Sequence, residues 1–376
     1  MTSEMEIPEV PVLPPRTGIS YLAEGAANIV YRISVPYPTP PPSAIEQYGD
    51  NTPPPAESHE TAGVTERNKE LLIYDKKLLR LRKNLPTTLP CAVSQRNWLR
   101  LVVPLFSPEQ IVQQCLVQLG PSDAIAKLNK ELYGWETYEY PVKESLQSVD
   151  LRPTKRHGIY LAEDEHGLLV TDMTPGYLGE EVIEFKPKWL AQSPAAPPNS
   201  KRCRQCARQA RADAESLFDG SGRLAQYFCP LNLVGGGNMA LVASQMETNP
   251  TKRKRLQRWL ETNKLLPRLR DAQVELDPKG VFETDLSEEN IRLAMTLRDC
   301  TVFLRLPPNE KDDHTIEARL GDLDLKSEDK FDYWLLTEKQ LIDEGWYTGN
   351  ENQQLRQPIN CALSQQYISL DSASDS

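Results

Sequence analysis

Two hydrophobic rhythms share this chain. In the first half apolar residues recur mostly at every second position, the spacing of strands; after residue 190 they recur at every third or fourth, the spacing of helices. "AEGAANIVYRIS" (23–34) predicts a small-residue turn running into an alternating strand, and "KKLLRLRK" (76–83) a second strand. Between them, residues 36–66 carry two proline clusters, Pro40 to Pro42 and Pro53 to Pro55, among Ser, Thr and Glu. So few apolar side chains cannot offset the entropy of ordering, so this stretch reads as a disordered insertion in a long hairpin loop. "PEQIVQQCLVQL" (108–119) and "SDAIAKLNKELY" (122–133) predict helices, the first opened by a proline and the second by a Ser/Asp cap. "GIYLA", "GLLVTDM" and "EVIEFK" then predict short strands.

Helical spacing follows over 201–218, about 238–262 and 287–298. Two more strand patterns, "TVFLRL" (301–306) and "TIEARLGDLDLK" (315–326), precede a last helix around 329–345. The reading is an α+β protein in two lobes. An arm over 1–20 is expected to be flexible. The first lobe is expected over 21–171, the second over 172–363, with a mobile tail at 364–376.

Composition changes the picture in three places. A net charge of −10 over 376 residues argues against a general nucleic-acid binder, which carries a basic domain. Seven cysteines at irregular spacing fit a reducing compartment better than a disulfide framework. No apolar run long enough to span a bilayer and no apolar leader are found. A soluble, membrane-free, monomeric protein of the nucleus or cytoplasm is the expectation.

Against that acidic background, several local patterns offer chemistry. In "GDLDLK" (321–326), a strand would put Asp322 and Asp324 on one face with Lys326. Adjacent carboxylates are suited to Mg²⁺, although a polar strand edge has the same pattern. "AEGAANIV" has the small residues that let backbone N–H groups approach phosphates, or that make a plain hairpin turn. Arg80 and Arg82 share a strand face opposite Leu79 and Leu81. "KRCRQCARQAR" (201–211) and "KRKRLQR" (252–258) are basic clusters; on a helix Arg204, Arg208 and Arg211 line one side, and the first cluster is expected to form a polyanion pocket. Cys203 and Cys206 form a CxxC with no second CxxC or CxxH, which argues against four-ligand zinc. In "EFKPKW" (184–189), Lys186 and Lys188 would point to the same side of a strand, with Pro187 facing away.

"YLAEGAANIVYRI", "EFKPKW", "RDCTVFL" and "GDLDLKSEDKFDYWLLTEKQLIDEGWY" together resemble the inositol-pentakisphosphate 2-kinase family in its fungal form, from about Tyr21 to Trp346. The resemblance implies a two-lobed inositol polyphosphate kinase fold, distantly protein-kinase-like. It implies transfer of the ATP γ-phosphoryl group to the 2-hydroxyl of inositol 1,3,4,5,6-pentakisphosphate, with Mg²⁺. A non-catalytic inositol-phosphate binder and a kinase of lower inositol phosphates are the alternatives.

Carried over by position, the resemblance places Asp299 as the catalytic base and Lys186 with it at the reacting centre. Gly25, Ala26, Asn28, Arg80, Glu184 and Asp322 fall toward ATP, with Asp322 and Asp324 toward the metal. Lys188, Arg208, Lys326 and Lys330 fall toward the inositol phosphates. Arg208 stands where many members have histidine, Trp334 and Tyr333 compete for an aromatic position after Lys330, and Arg152 and Arg156 compete for a substrate arginine. The zinc site known in plant members finds no matching Cys/His set.

Overall fold

Leu79 and Leu81 lie in a core at 0% and 2% exposure while Arg80 and Arg82 stay half-exposed, so the alternation in KLLRLR is a strand with one apolar face. The computed structural model describes residues 10–36, 71–120, 123–137, 152–176, 178–218, 228–283 and 288–364. The expected insertion, apart from Pro36, and the tail beyond Ser364 lie outside these residues. The chain falls into two compact units, one drawn from Met1–Arg96 and Gln113–Asp172, the other from Asn97–Val112 and Met173–Ser376. No helix among the described residues is long and apolar enough to cross a membrane.

The first unit is built on an antiparallel sheet. Its strands are β1 (Gly18–Glu24), β2 (Asn28–Ser34), β3 (Lys77–Arg82), β4 (Gln114–Gln118) and β5 (His166–Thr171), in the order β1-β2-β3-β5-β4. Helix α1 (Cys91–Asn97) begins where the Cys91 N–H donates to Asp164, and α2 (Ala124–Glu136) packs Leu128 and Leu132 on Ile29, Tyr31 and Leu169.

Three expectations are corrected here. Residues 10–20 are not a free arm: Leu13 is 4% exposed, its N–H donates to Gln118 O, and β1 already starts at Gly18. Residues 108–119 are not a helix: 114–118 form β4, with Val117 and Leu119 alternating into the core, and Ile111, in the second unit, bridges to Leu320 of the same unit. "GIYLA" makes only a bridge, Leu161 to Lys83.

The second unit carries a three-stranded antiparallel sheet, β6 (Glu181–Phe185), β7 (Thr301–Leu306) and β8 (Glu317–Gly321), with β7 in the middle. Helices α3 (Arg204–Phe218), α4 (Met239–Met246), α5 (Pro250–Thr262), α6 (Leu265–Leu276), α7 (Glu289–Leu297) and α8 (Phe331–Asp343) surround it. The helical stretch 238–262 is broken by Asn249, whose side chain accepts from Thr251 and Lys252 N–H and caps α5 ahead of Pro250. Leu256, Leu266, Leu297, Val302 and Leu320 are the centre of the core, all at 0% exposure.

β8 ends at Gly321, five residues short of what alternation suggested, so Asp322 and Asp324 do not share a strand face. A Cβ at Gly321 would meet the Phe303 ring at 2.8 Å, and this close approach lets β8 lie against β7 just before Asp322 turns away at φ 60°.

Much of the second basic cluster is paired. Arg255, 2% exposed, donates to Asp313 and to Pro307 O; Arg258 pairs with Glu310 and Asp313; Lys252 pairs with Glu181. Arg255 and Arg258 thereby hold α5 to the segment after β7.

Candidate active site

Asp299 follows the C-terminus of α7 and precedes β7. Lys188 Nζ donates to its Oδ1 at 2.9 Å and Lys326 Nζ to its Oδ2 at 2.7 Å. Lys186 Nζ donates to the Asp299 carbonyl at 2.7 Å and to Asp322 Oδ2 at 3.0 Å. Three ammonium groups and two carboxylates therefore converge at the open ends of β6, β7 and β8.

Local structure explains the convergence. Lys186 and Lys188 do not share a pleat, because β6 ends at Phe185, Pro187 is buried and Lys188 adopts φ 60°. Asp322 adopts φ 60° as well. A left-handed Lys or Asp costs on the order of 1 kcal/mol, and such strain concentrates where a site needs a side chain re-aimed. Lys326 is aimed by α7: its N–H donates to Thr296 Oγ1 at 3.0 Å and its carbonyl accepts from Arg292 Nε at 2.8 Å.

Electrostatics follow from this crowding. Burial alone raises the Asp299 pKa, but the charge-assisted bonds from Lys326 and Lys188 outweigh it and hold the carboxyl well below the ordinary aspartate range. For Lys186 burial lowers the pKa, and Asp322 and Asp299 overcome that to leave it raised. Glu184, at the end of β6, is raised by lost solvation, with Lys186 opposing and Asp322 adding to the shift.

Other expected residues are placed as follows. Arg208 lies on α3 with its Nη2 3.5 Å from the Tyr333 hydroxyl and has no carboxylate partner among the described residues. Tyr333, 53% exposed, thus presents the hydroxyl, while Trp334, 8% exposed, packs against Phe331 and Trp189. Lys330 is exposed at the N-terminus of α8. The rest of the first basic cluster is structural and does not form the expected pocket: Arg202 is buried on Glu351, Arg204 is buried on Glu338, and Arg211 pairs with Glu215 and Glu344.

In the first unit, the 25–28 turn is closed by Gly25 N–H donating to Asn28 O at 2.9 Å, with Gly25 and Ala26 exposed. An added Cβ at Gly25 would come no nearer than 4.0 Å to the protein, so the fold itself does not demand glycine there. Lys83, at 0% exposure, backs the turn by donating to Gly25 O at 2.8 Å and pairing with Glu24 at 2.5 Å. Arg80 Nη2 donates to Gln114 at 3.0 Å. Arg152 is wholly enclosed between Glu24, Glu136 and the Ile159 carbonyl, which leaves Arg156, half-exposed, as the arginine of that segment open to a ligand.

Sequence reading missed a four-cysteine cluster that could hold a metal ion. Cys203, Cys206, Cys229 and Cys361 are all buried, with their sulfurs within 4.8 Å of one another. A tetrahedral zinc with Zn–S near 2.3 Å separates its sulfurs by about 3.8 Å. The Cys203–Cys229 and Cys229–Cys361 distances are 3.9 and 3.7 Å. The donor set fits zinc, and the expectation of no four-ligand site is corrected. The CxxC signals only half of the set, because the other two cysteines, Cys229 and Cys361, stand singly in the sequence. Hydrogen bonds from its neighbours push the Cys229 thiol strongly down, while the same sharing pushes Cys206 up.

Comparison with known proteins identifies a family. The family model for inositol-pentakisphosphate 2-kinase matches residues 21–248 and 239–340. A Yarrowia lipolytica inositol-pentakisphosphate 2-kinase is 30% identical over 171 residues, 44% of this chain and 53% of the relative. A Saccharomyces cerevisiae inositol-pentakisphosphate 2-kinase is 28% identical over 182 residues, 45% of this chain and 57% of the relative. The chain thus aligns with just over half the length of each curated relative. With the family model covering most of it, this chain belongs to the inositol-pentakisphosphate 2-kinase family.

Proposed function

We propose that the chain transfers the γ-phosphoryl group of ATP to the 2-hydroxyl of inositol 1,3,4,5,6-pentakisphosphate, giving inositol hexakisphosphate, in a two-lobed, distantly protein-kinase-like frame. The observation that carries this is the carboxylate of Asp299 held among Lys186, Lys188 and Lys326. Five phosphates bring about −7.5 to −10 of charge. An acidic protein can meet such a ligand only with cations gathered locally, and these three lysines are so gathered.

Asp299 accepts the 2-hydroxyl proton as the hydroxyl oxygen bonds to the γ-phosphorus and the bond to the β-phosphate oxygen breaks, releasing ADP. A carboxylate held at so low a pKa is a weak base. Phosphate oxygens that draw Lys188 and Lys326 away from Asp299 raise its basicity as the substrate arrives. Lys186, between Asp299 and Asp322, is placed for the transferred phosphoryl group. Lys188, Lys326, Lys330 and Arg208 serve the inositol phosphates; Gly25, Ala26, Asn28, Arg80 and Glu184 serve the nucleotide.

Asp322 gives one oxygen to Lys186 and is 53% exposed, and with Asp324 it offers the oxygen ligands that Mg²⁺ takes. Bound there with ATP, the ion supplies charge neutralisation on the phosphates. The test is incubation with Mg·ATP and a panel of inositol phosphates. Transfer to a lower inositol phosphate in preference to the pentakisphosphate would select the alternative substrate, and binding without turnover the non-catalytic alternative.

A further inference from the structure

Continuing the β6–β7 register beyond its last pair, Phe185 opposite Val302, sets Lys188 across from Asp299, Trp189 across from Arg298 and Leu190 across from Leu297. A side chain is inserted at this end of the ladder. Gln273 of α6, 1% exposed, accepts from Leu190 N–H at 3.0 Å through Oε1. Its Nε2 donates to Leu297 O at 3.1 Å and to Lys188 O at 3.0 Å. One amide therefore ties the chain on both sides of Trp189 to the last turn of α7, two residues before Asp299.

The pair beside it is held too. The Trp189 ring takes the Arg298 guanidinium at 3.7 Å and that of Arg204 at 4.3 Å. Each arginine is neutralised by a buried carboxylate, Asp277 at 2.5 Å and Glu338 at 2.6 Å. Lys188, in a left-handed conformation, has this scaffold directly behind it.

We propose that Gln273 is a positioning residue for phosphoryl transfer: it fixes the Lys188 turn and the Asp299 carboxylate in register by bonding the backbone of Lys188 and Leu190 on one side and of Leu297, two residues before Asp299, on the other. Space filling alone does not account for it. An apolar residue fills a core without polar atoms that must be satisfied, whereas here both N–H groups and the carbonyl are spent on backbone next to the reacting groups. The inference rests on the reading of Asp299 and Lys188 as the reacting centre.

The test is Gln273→Met and Gln273→Glu in the full chain, with kcat and KM for both substrates, pH profiles and thermal melts. Misplacement by a fraction of an ångström lowers turnover on the order of 10²-fold, so kcat should fall by that order in Gln273→Met while KM for ATP holds. Gln273→Glu should lose as much at neutral pH. It should recover part of it as pH falls, because only the protonated acid can donate to a carbonyl; the wild type has no such acid-side recovery. Folded variants with unchanged kcat beside an active wild type overturn the inference alone. Failure of both variants to fold also overturns it, since the amide then holds the core and not the site. An inactive wild type overturns the functional reading, and this inference with it.

Discussion

Lys188 and Asp299 meet at 2.9 Å across the open end of the β6–β7 pair, the lysine reaching from a left-handed turn and the aspartate from the junction between α7 and β7. Because Lys326 takes the other carboxylate oxygen, both lysines favour the ionised form of Asp299.

Asp299→Asn removes the proton acceptor while keeping the shape. Turnover should fall by roughly 10²–10⁴, the range for a positioned acid–base group, with nucleotide and inositol-phosphate binding retained. Rapid-quench turnover and calorimetric titration of each ligand check this; near-normal turnover in the folded variant would remove Asp299 from the base role.

The same contact sets a pH dependence of stability. The folded-state pKa of Asp299 lies below its ordinary 3.8, so its contribution is fully present above that value and is lost as pH falls toward the folded pKa. The stability gap between wild type and Asp299→Asn should be constant from neutral pH down to about pH 5 and narrow below pH 4. Urea melts across that range measure it. A gap that widens in acid contradicts the sign.

Asp322→Asn should lower Mg²⁺-dependent turnover by more than about 10²-fold, since metal neutralisation of phosphate charge is worth several kcal/mol. Titrating Mg²⁺ and Mn²⁺ against the variant is the measurement. Full rescue by excess metal would move the principal ligand to Asp324.

The four-cysteine centre should hold about one zinc per chain, removable by a strong chelator with loss of thermal stability. Elemental analysis of Cys229→Ser and of the wild type decides this. Full zinc occupancy in the variant would place the metal elsewhere.

Periodicity made part of this legible. TVFLRL is β7 as the alternation indicated, and the stretches 201–218 and 287–298 contain α3 and α7. Residues 108–119 misled because a proline opening looks like a helix start, while their partners, β5 and Leu320, are remote in sequence. Helix α6 was not foreseen: Pro267 interrupts its pattern, yet lies in the first turn, where no intrahelical N–H bond is lost. Motif residues Lys186, Lys188, Asp299, Asp322 and Lys326 do come together, but through turns at Lys188 and Asp322 rather than pleats. Gln273 and the Trp189 stack had no local signal, and the cysteine cluster only its CxxC half, because each is completed only through contacts between distant segments.

The central claim is tested most directly by the position of the phosphate in the product. Incubated with Mg·ATP and inositol 1,3,4,5,6-pentakisphosphate, the chain should yield inositol hexakisphosphate, with phosphorus NMR showing a new ester at the 2-hydroxyl and one ADP formed per ester. A folded wild-type chain that binds the pentakisphosphate and ATP but forms no such ester would contradict the account.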